Sequence, residues 1–90
     1  MKWDGETMNF IKEPSRIYAK DENGNIIAEI TFQEIEKGVF NIDHTMVDVS
    51  LRGKGIASQL VEEAVKAIKK QNGKIQATCS YAKKWLEKNN

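Results

Sequence analysis

The sequence predicts an α+β fold: a mixed β-sheet made of an antiparallel meander and a parallel β-α-β crossover, closed by a short C-terminal helix. Two observations carry this prediction. In the first half of the chain, apolar and polar residues alternate in runs separated by turn signals, which favours strands joined in hairpins. From Gly55 onward the apolar residues recur at helical spacing, and another strand-like run follows, which is typical of a crossover between parallel strands.

The meander is predicted to contain three strands. The first is Arg16–Lys20, "RIYAK", because isoleucine and tyrosine favour a pleated surface. Asn23-Gly24 then marks a tight turn, since both residues tolerate a positive φ. Ile26–Glu36 and Val39–Val49 are the second and third strands, separated by a turn that ends at Gly38. Ahead of them we expect an extended lead-in whose apolar residues pack on the sheet: Trp3, Met8 and Phe10.

The crossover consists of a helix and a further strand. Lys69 and Lys70 suit the negative end of the helix dipole, and Gly73 is a natural C-terminal stop. Lys74–Cys79 is predicted as the next strand and Tyr81–Lys88 as the closing helix. One apolar stripe of the first helix should face the sheet: Ile56, Leu60, Val61, Ala64, Val65 and Ile68.

Composition places the chain among single-domain globular proteins. Its 90 residues form one domain, 1–90, and 40% hydrophobic with 30% charged residues is typical of a folded protein. The net charge of +1 gives no electrostatic case for binding nucleic acid or a membrane surface. A single cysteine and no apolar span or leader-like segment indicate a cytoplasmic protein. One cysteine and one histidine are too few for an ordinary zinc site, so no metal is expected. The oligomeric state is left open.

The stretch "VSLRGKGIASQL", Val49–Leu60, combines two glycines and two cations directly before a helix. The start of a helix has unpaired N–H groups and positive partial charge, and glycines let an anion approach the backbone closely. The pattern predicts a cradle for phosphate or pyrophosphate, although a basic turn that only caps the helix fits these four residues equally well. It matches neither the P-loop nor the dinucleotide-binding pattern.

The surrounding sequence resembles the GNAT superfamily of acetyl-CoA-dependent N-acyltransferases. "VDVSLRGKGIASQL" is similar to the family signature Arg/Gln-x-x-Gly-x-Gly/Ala, which Arg52, Gly55 and Ala57 match. A "HTMV" strand before the turn and "CSY" before the last helix resemble the small stand-alone proteins of the YjdJ type. The resemblance covers roughly residues 24–89 and implies a minimal GNAT-like fold.

The resemblance also implies a site for acetyl-CoA. In GNAT proteins the strand before the glycine turn pairs its backbone with the pantetheine arm, which maps onto Val47 and Val49. Thr45 or Met46 would then lie near the thioester. Main-chain N–H groups of the turn would hold the pyrophosphate, and this role maps onto Arg52, Gly53, Lys54, Gly55, Ile56 and Ala57.

Three further residues are candidates for catalysis. Cys79 either attacks the thioester and passes the acyl group on, or only lines the slot. Tyr81 either protonates the departing thiolate, as a tyrosine often does in this superfamily, or packs with Trp85 in the core. His44 either serves as a base or is a half-buried structural residue, because strand alternation puts it on one face with Phe40, Ile42 and Met46.

The function predicted from the resemblance is transfer of an acetyl group from acetyl-CoA to the amine of a small molecule or peptide. A module that binds CoA or acyl-CoA with little or no transferase activity is the second hypothesis, because the chain is much shorter than a typical GNAT enzyme. A small interaction domain that binds another phosphate ligand is the third. No residue pattern identifies the acceptor.

Overall fold

The computed structural model describes residues 9–89, which form one five-stranded sheet in the order β1-β2-β3-β4-β5. The first four strands are antiparallel neighbours, and β4 and β5 are parallel. The mixed sheet predicted from the sequence is confirmed. The elements are β1 (Ile11–Glu13), β2 (Arg16–Lys20), β3 (Ile26–Glu36), β4 (Val39–Val47), a 3-10 turn (Val49–Leu51), α1 (Ile56–Lys70), β5 (Lys74–Ala77) and α2 (Ser80–Lys88).

The meander contains one strand more than the sequence predicted. β1 lies in the segment expected to be an extended lead-in, and it pairs antiparallel with β2 so that Ile11 faces Tyr18. At three residues it is too short to produce a readable alternation. Phe10 is half-buried and packs against the core, as expected. Trp3 and Met8 lie outside the described residues.

The core lies between one face of the sheet and α1. The apolar stripe of α1 packs on alternate residues of β2, β3 and β4, which is the arrangement that the helical and strand periods predict. Each fully buried isoleucine or leucine stabilises the fold by about 1.5–3 kcal/mol, so α1 is held firmly on the sheet. The fully buried residues of this interface include Ile17, Ala28, Ile30, Phe32, Ile42, Leu60, Val61, Ala64 and Ile68.

The prediction that the third strand reaches Val49 is wrong. β4 ends at Val47, and Val49 is 73% exposed in the 3-10 turn that follows. The cause is Asp48, whose carboxylate accepts hydrogen bonds from the backbone N–H of Ser50 at 3.0 Å and from the Ser50 hydroxyl. Such a local side-chain bond competes with the strand ladder and turns the chain.

The strand after α1 is also shorter than predicted, because β5 leaves β4 early. The parallel register runs from Val39 opposite Lys74 to Ile42 opposite Ala77 and stops there. The N–H groups of Thr78 and Cys79 both donate to the carbonyl of Ile42, each at 3.1 Å. Cys79 is therefore the N-cap residue of α2 and not a strand residue. Beyond Ile42 the two strands diverge and open a gap in the sheet.

The end of α1 gives Gly73 a different role from the predicted one. The left-handed residue is Asn72, with φ 59°, and not Gly73. The N–H of Gly73 bonds to the carbonyl of Ile68 and that of Asn72 to the carbonyl of Lys69, each at 2.9 Å, which is the Schellman pattern. Gly73 lies directly under the ring of Phe40, where an added Cβ would be 2.7 Å from the ring. The glycine is required there for space.

Candidate functional site

A β-bulge in β4 decides which side chains can reach the gap between β4 and β5. Ile42 faces Phe32 on β3, but His44 faces Thr31, so Asp43 is an extra residue without a partner. One extra residue reverses the side-chain alternation that follows it. Thr45 and Val47 therefore share a face with the core, opposite Ile30 and Ala28, whereas His44 and Met46 point to the other face. The expectation that His44 shares a face with Phe40 and Ile42 is wrong for this reason.

The bulge also turns backbone groups of β4 toward the gap. The N–H of Asp48 donates to the carbonyl of Ile27 on β3 at 2.8 Å. In an antiparallel pair the residues that bond across alternate with residues whose backbone groups point away. The backbone N–H and C=O groups of Thr45 and Val47 therefore point away from β3, toward the side of β4 where β5 no longer pairs. The backbone of Met46 is turned toward β3. An extended ligand in the gap can accordingly pair with Thr45 and Val47 as if it were a strand.

The glycine turn that precedes α1 has the conformation that an anion cradle requires. Gly53 and Gly55 have φ values of 84° and 75°, a left-handed region that favours glycine. Gly55 is the N-cap of α1, and within residues 9–89 no side chain caps the helix start. The N–H groups of the first turn are thus left for water or a ligand. Arg52 and Lys54 are exposed beside them, so both the backbone and the side chains contribute positive charge.

The gap and the glycine turn meet in one cavity of about 440 Å³. Eight of the residues predicted to bind the cofactor or act in catalysis line this cavity, together with Leu51 from the 3-10 turn. Leu51 was missed, since a lone leucine in a turn has no distinguishing pattern. Five predicted residues are not among the lining residues: Met46, Val49, Lys54, His44 and Cys79. The predicted residues that line it are Thr45, Val47, Arg52, Gly53, Gly55, Ile56, Ala57 and Tyr81.

The thiol of Cys79 lies beside this cavity at the N-terminus of α2. Its Sγ is 3.5 Å from the hydroxyl oxygen of Thr45. Burial disfavours the thiolate and is the largest single influence on it, but the N–H of Ala82, the hydroxyl of Thr45 and the N–H of Tyr81 together outweigh burial. The pKa of Cys79 is therefore lowered from the ordinary thiol value of 9.0. A thiolate at this position is a nucleophile next to the cavity.

Tyr81 and Trp85 lie one turn apart on α2 and have separate surroundings. The indole N–H of Trp85 donates to the hydroxyl of Ser58 on α1 at 2.8 Å, which ties the two helices together. Tyr81 is 43% exposed and lines the cavity. Tyr81 is therefore not a core residue, and its phenol is available to a bound molecule.

His44 belongs to a polar cluster on the opposite face of the sheet. Its Nε2 is 3.9 Å from a carboxylate oxygen of Glu29, and the other oxygen of that carboxylate bonds to the Arg16 guanidinium at 2.5 Å. The hydrogen bond to Glu29 raises the pKa of Arg16. The imidazole is 55% exposed. His44 therefore does not share a chamber with Cys79 and Tyr81.

Two further observations concern the described part of the chain. Across residues 9–89, no cluster of three or more histidine, cysteine, aspartate or glutamate side chains is placed to hold a metal ion. Over the same range, neither helix has the length and apolarity needed to cross a membrane.

A mixed sheet whose parallel strands diverge beside an uncapped, glycine-started helix is a GNAT-like fold. A family model described as GCN5-related N-acetyltransferase matches residues 16–90 of this chain. The chain therefore belongs to the GCN5-related N-acetyltransferase family, as its resemblance to GNAT proteins predicted. Its assignment to the YjdJ-type branch stays a prediction.

Known proteins resemble this chain in sequence and in fold. The solution structure of a GCN5-like protein from Staphylococcus aureus has a TM-score of 0.75 and 35% identity, covering 91% of this chain and 80% of that one. A ribosomal-protein-alanine N-acetyltransferase from Brucella melitensis has a TM-score of 0.57, covers 81% of this chain and 60% of that one, and is 22% identical, which shows the fold alone. Protein NATD1 of chicken is 29% identical over 62 residues, 69% of this chain. The chain spans only 56% of the length of that relative.

Proposed function

We propose that this chain is an acetyl-CoA-dependent N-acetyltransferase that transfers an acetyl group to an amine, with Cys79 as the residue that takes up the group first. One observation carries the proposal. The cavity of about 440 Å³ joins an uncapped helix start and a free strand edge, and a thiol of lowered pKa lies beside it, 3.5 Å from the Thr45 hydroxyl. These are the three groups that a phosphorylated acyl thioester needs for its anion, its amide-containing arm and its carbonyl carbon.

The residues present fit the pyrophosphate and the pantetheine arm of coenzyme A. The first turn of α1 and Arg52 would hold the pyrophosphate, since unpaired N–H groups and a guanidinium both favour phosphate. The backbone of Thr45 and Val47 would pair with the amides of the pantetheine arm. Nothing lies within 4 Å of the Cβ position of Gly53 or Gly55, so the approach to the turn is open. When bound, acetyl-CoA supplies the activated acetyl group.

The chemistry follows from the groups beside the cavity. The thiolate of Cys79 attacks the acetyl carbon, a new bond to Sγ forms, and the carbon–sulfur bond to the leaving thiolate breaks. Tyr81 donates its phenolic proton to that thiolate and recovers a proton from water. The amine of the acceptor then attacks acetyl-Cys79, which releases Sγ as a thiolate while the amine proton passes to solvent. The N–H of Val47 is left to the pantetheine amides, and the N–H of Thr45, the residue in contact with Cys79, stabilises the developing oxyanion.

The test measures binding and transfer separately. Titration calorimetry with CoA and acetyl-CoA reports binding, and intact-mass measurement after incubation with acetyl-CoA reports an acetyl group on the protein. Binding and a single acetyl adduct, followed by transfer to members of an amine panel, support the proposal. Binding without an adduct and without acetylated amine indicates a CoA-binding module. If neither CoA nor acetyl-CoA binds, the proposal is wrong, because every later step depends on that binding.

Gly55→Ala should weaken CoA binding, and Gly38→Ala is its matched control. Both glycines have positive φ, 75° and 80°, and neither has an atom within 4 Å of its Cβ position. Each substitution should therefore cost a similar 1–2 kcal/mol of stability, roughly the left-handed penalty of an L-residue. Only Gly55 adjoins the cavity, so only Gly55→Ala should raise the Kd for CoA, by about tenfold or more. Equal Kd values for the two variants would remove the phosphate cradle from the proposal.

His44→Gln should leave acetylation of Cys79 nearly unchanged. The imidazole lies on the opposite face of β4, beside Glu29. The rate of adduct formation should fall by less than about threefold, whereas removal of a general base typically costs about 10²–10⁴-fold. Rapid-quench mass measurement over time checks this. A loss of a hundredfold in this step would mean that His44 reaches the thiol after all.

A further inference from the structure

A second groove, lined with lysines, continues from the cavity along α2. Its volume is about 340 Å³, and Tyr81 lines both spaces. The two also meet at the first turn of α1, because Ala57 lines the cavity and Ser58 lines the groove. A ligand with its diphosphate at that turn therefore has the groove directly beside it. The residues lining the groove are Ser58, Tyr81, Lys84, Trp85, Lys88 and Asn89.

The groove is positively charged on one wall. Tyr81, Lys84, Trp85 and Lys88 follow the spacing i, i+3, i+4 and i+7, which puts them on one face of α2. Among the residues that the structure describes, no carboxylate side chain lines the groove. Neither lysine forms an ion pair with any residue in the range 9–89. The two ammonium groups are thus free to bind an anion.

The position of the groove is fixed by the contact between the helices. The hydrogen bond from the Trp85 indole to the Ser58 hydroxyl at 2.8 Å holds α2 against the first turn of α1. Ser58 uses its oxygen as an acceptor in this bond and retains its own O–H as a donor. The groove therefore has a fixed place beside the glycine turn, and it offers two ammonium groups and a hydroxyl.

We propose that this groove binds the 3′-phosphate of the adenosine end of coenzyme A through Lys84 and Lys88. The inference rests on the proposed function, since it assigns the far end of the same ligand. A phosphate monoester dianion next to a diphosphate is the part of CoA whose charge the glycine turn does not neutralise. Lys84 and Lys88 supply the missing cations, and Ser58 supplies a neutral donor. The site thereby distinguishes CoA from its 3′-dephospho form.

The experiment is a cycle of two ligands and four proteins measured by titration calorimetry. The ligands are CoA and 3′-dephospho-CoA. The proteins are wild type, Lys84→Ala/Lys88→Ala, the single variant Lys84→Ala and the control Lys83→Ala. Lys83 is an exposed lysine of the same helix that does not line the groove, so its substitution removes the same charge from a different face.

Wild type should bind CoA about tenfold more tightly than 3′-dephospho-CoA, since charge-assisted bonds to one phosphate are lost. In the double variant this difference should vanish, because CoA binds about tenfold more weakly while 3′-dephospho-CoA keeps its affinity. The affinity ratio of Lys84→Ala should lie between those of wild type and the double variant, and the ratio of Lys83→Ala should equal that of wild type. Equal wild-type affinities for both ligands, or a double variant that weakens both alike, would overturn this inference and leave the proposed function standing. If neither CoA nor 3′-dephospho-CoA binds the wild-type protein, this inference and the proposed function are both wrong.

Discussion

Cys79→Ala is expected to abolish the acetyl adduct and to slow amine acetylation on the order of a thousandfold or more, the scale on which removal of a catalytic nucleophile acts. The thiol is the one nucleophile of lowered pKa beside the cavity among the described residues. Cys79→Ser is the matched variant, because it keeps the size and the contact with Thr45 but has a hydroxyl that stays protonated. Both variants should bind CoA with wild-type affinity, since Cys79 does not line the phosphate cradle.

Amine acetylation that persists in Cys79→Ala would contradict the covalent route. Direct attack of the amine on the thioester, with Cys79 only lining the slot, would then be the mechanism. The adduct measurement and the turnover measurement are both needed, since an adduct can form without being on the path. The adduct must form and decay at rates no slower than turnover.

The pH dependence of adduct formation follows from the same surroundings. The thiolate is the reactive form, so the rate should rise with pH and level off above the pKa of Cys79. That pKa is lowered from 9.0, so the midpoint of the rise should lie below 9.0. Thr45→Val removes a hydroxyl that stabilises the thiolate at 3.5 Å and should move the midpoint upward. A midpoint at or above 9.0 in wild type would remove the argument for an activated thiol.

Much of the fold could be predicted from the sequence, because apolar residues recur at clear strand or helix spacing in most of its elements. β2, β3 and α1 occur within the predicted bounds, and the crossover between parallel strands follows from the change of period at Gly55. β1 was missed because three residues carry no period. The strand that ends at Val47 is predicted too long because Val49 continues the apolar alternation. The strand is stopped by a hydrogen bond from the backbone N–H of Ser50 to the carboxylate of Asp48.

The site could be predicted only in part, and the bulge at Asp43 explains why the facing of His44 could not. The glycine turn has a local signature, so Arg52, Gly53, Gly55 and Ala57 were predicted as a group that the structure brings together. The facing of His44 depends on one unpaired residue that no hydrophobic pattern marks. The lysines of α2 were missed because charged residues on a helix ordinarily face solvent. Lys84 and Lys88 differ from Lys83 because they lie on the face of α2 that lines the groove beside the first turn of α1.

Gly73→Ala is expected to destabilise the fold by about 2 kcal/mol, in the range typical of overpacking a core. The added Cβ would lie 2.7 and 2.8 Å from two ring carbons of Phe40 and 2.9 Å from a methyl of Ile68. Phe40 is 6% exposed and Ile68 is fully buried, so neither can move without disturbing the core. The melting temperature should fall by roughly 10 °C, given the entropy of unfolding of a domain of this size. Thermal and denaturant unfolding check this.

A second substitution distinguishes lack of space from loss of a preferred backbone conformation. Phe40→Leu alone should destabilise the protein, because it leaves a cavity in the core. In the double variant Gly73→Ala/Phe40→Leu the methyl group occupies part of the space that the ring has left. The double variant should therefore lose clearly less unfolding free energy than the sum of the losses in the two single variants. Strict additivity would mean that Gly73 is required for its backbone. Because Phe40 lies on β4 and Gly73 joins α1 to β5, this contact sets how closely the two parallel strands can pair before they diverge beside Thr45 and Cys79.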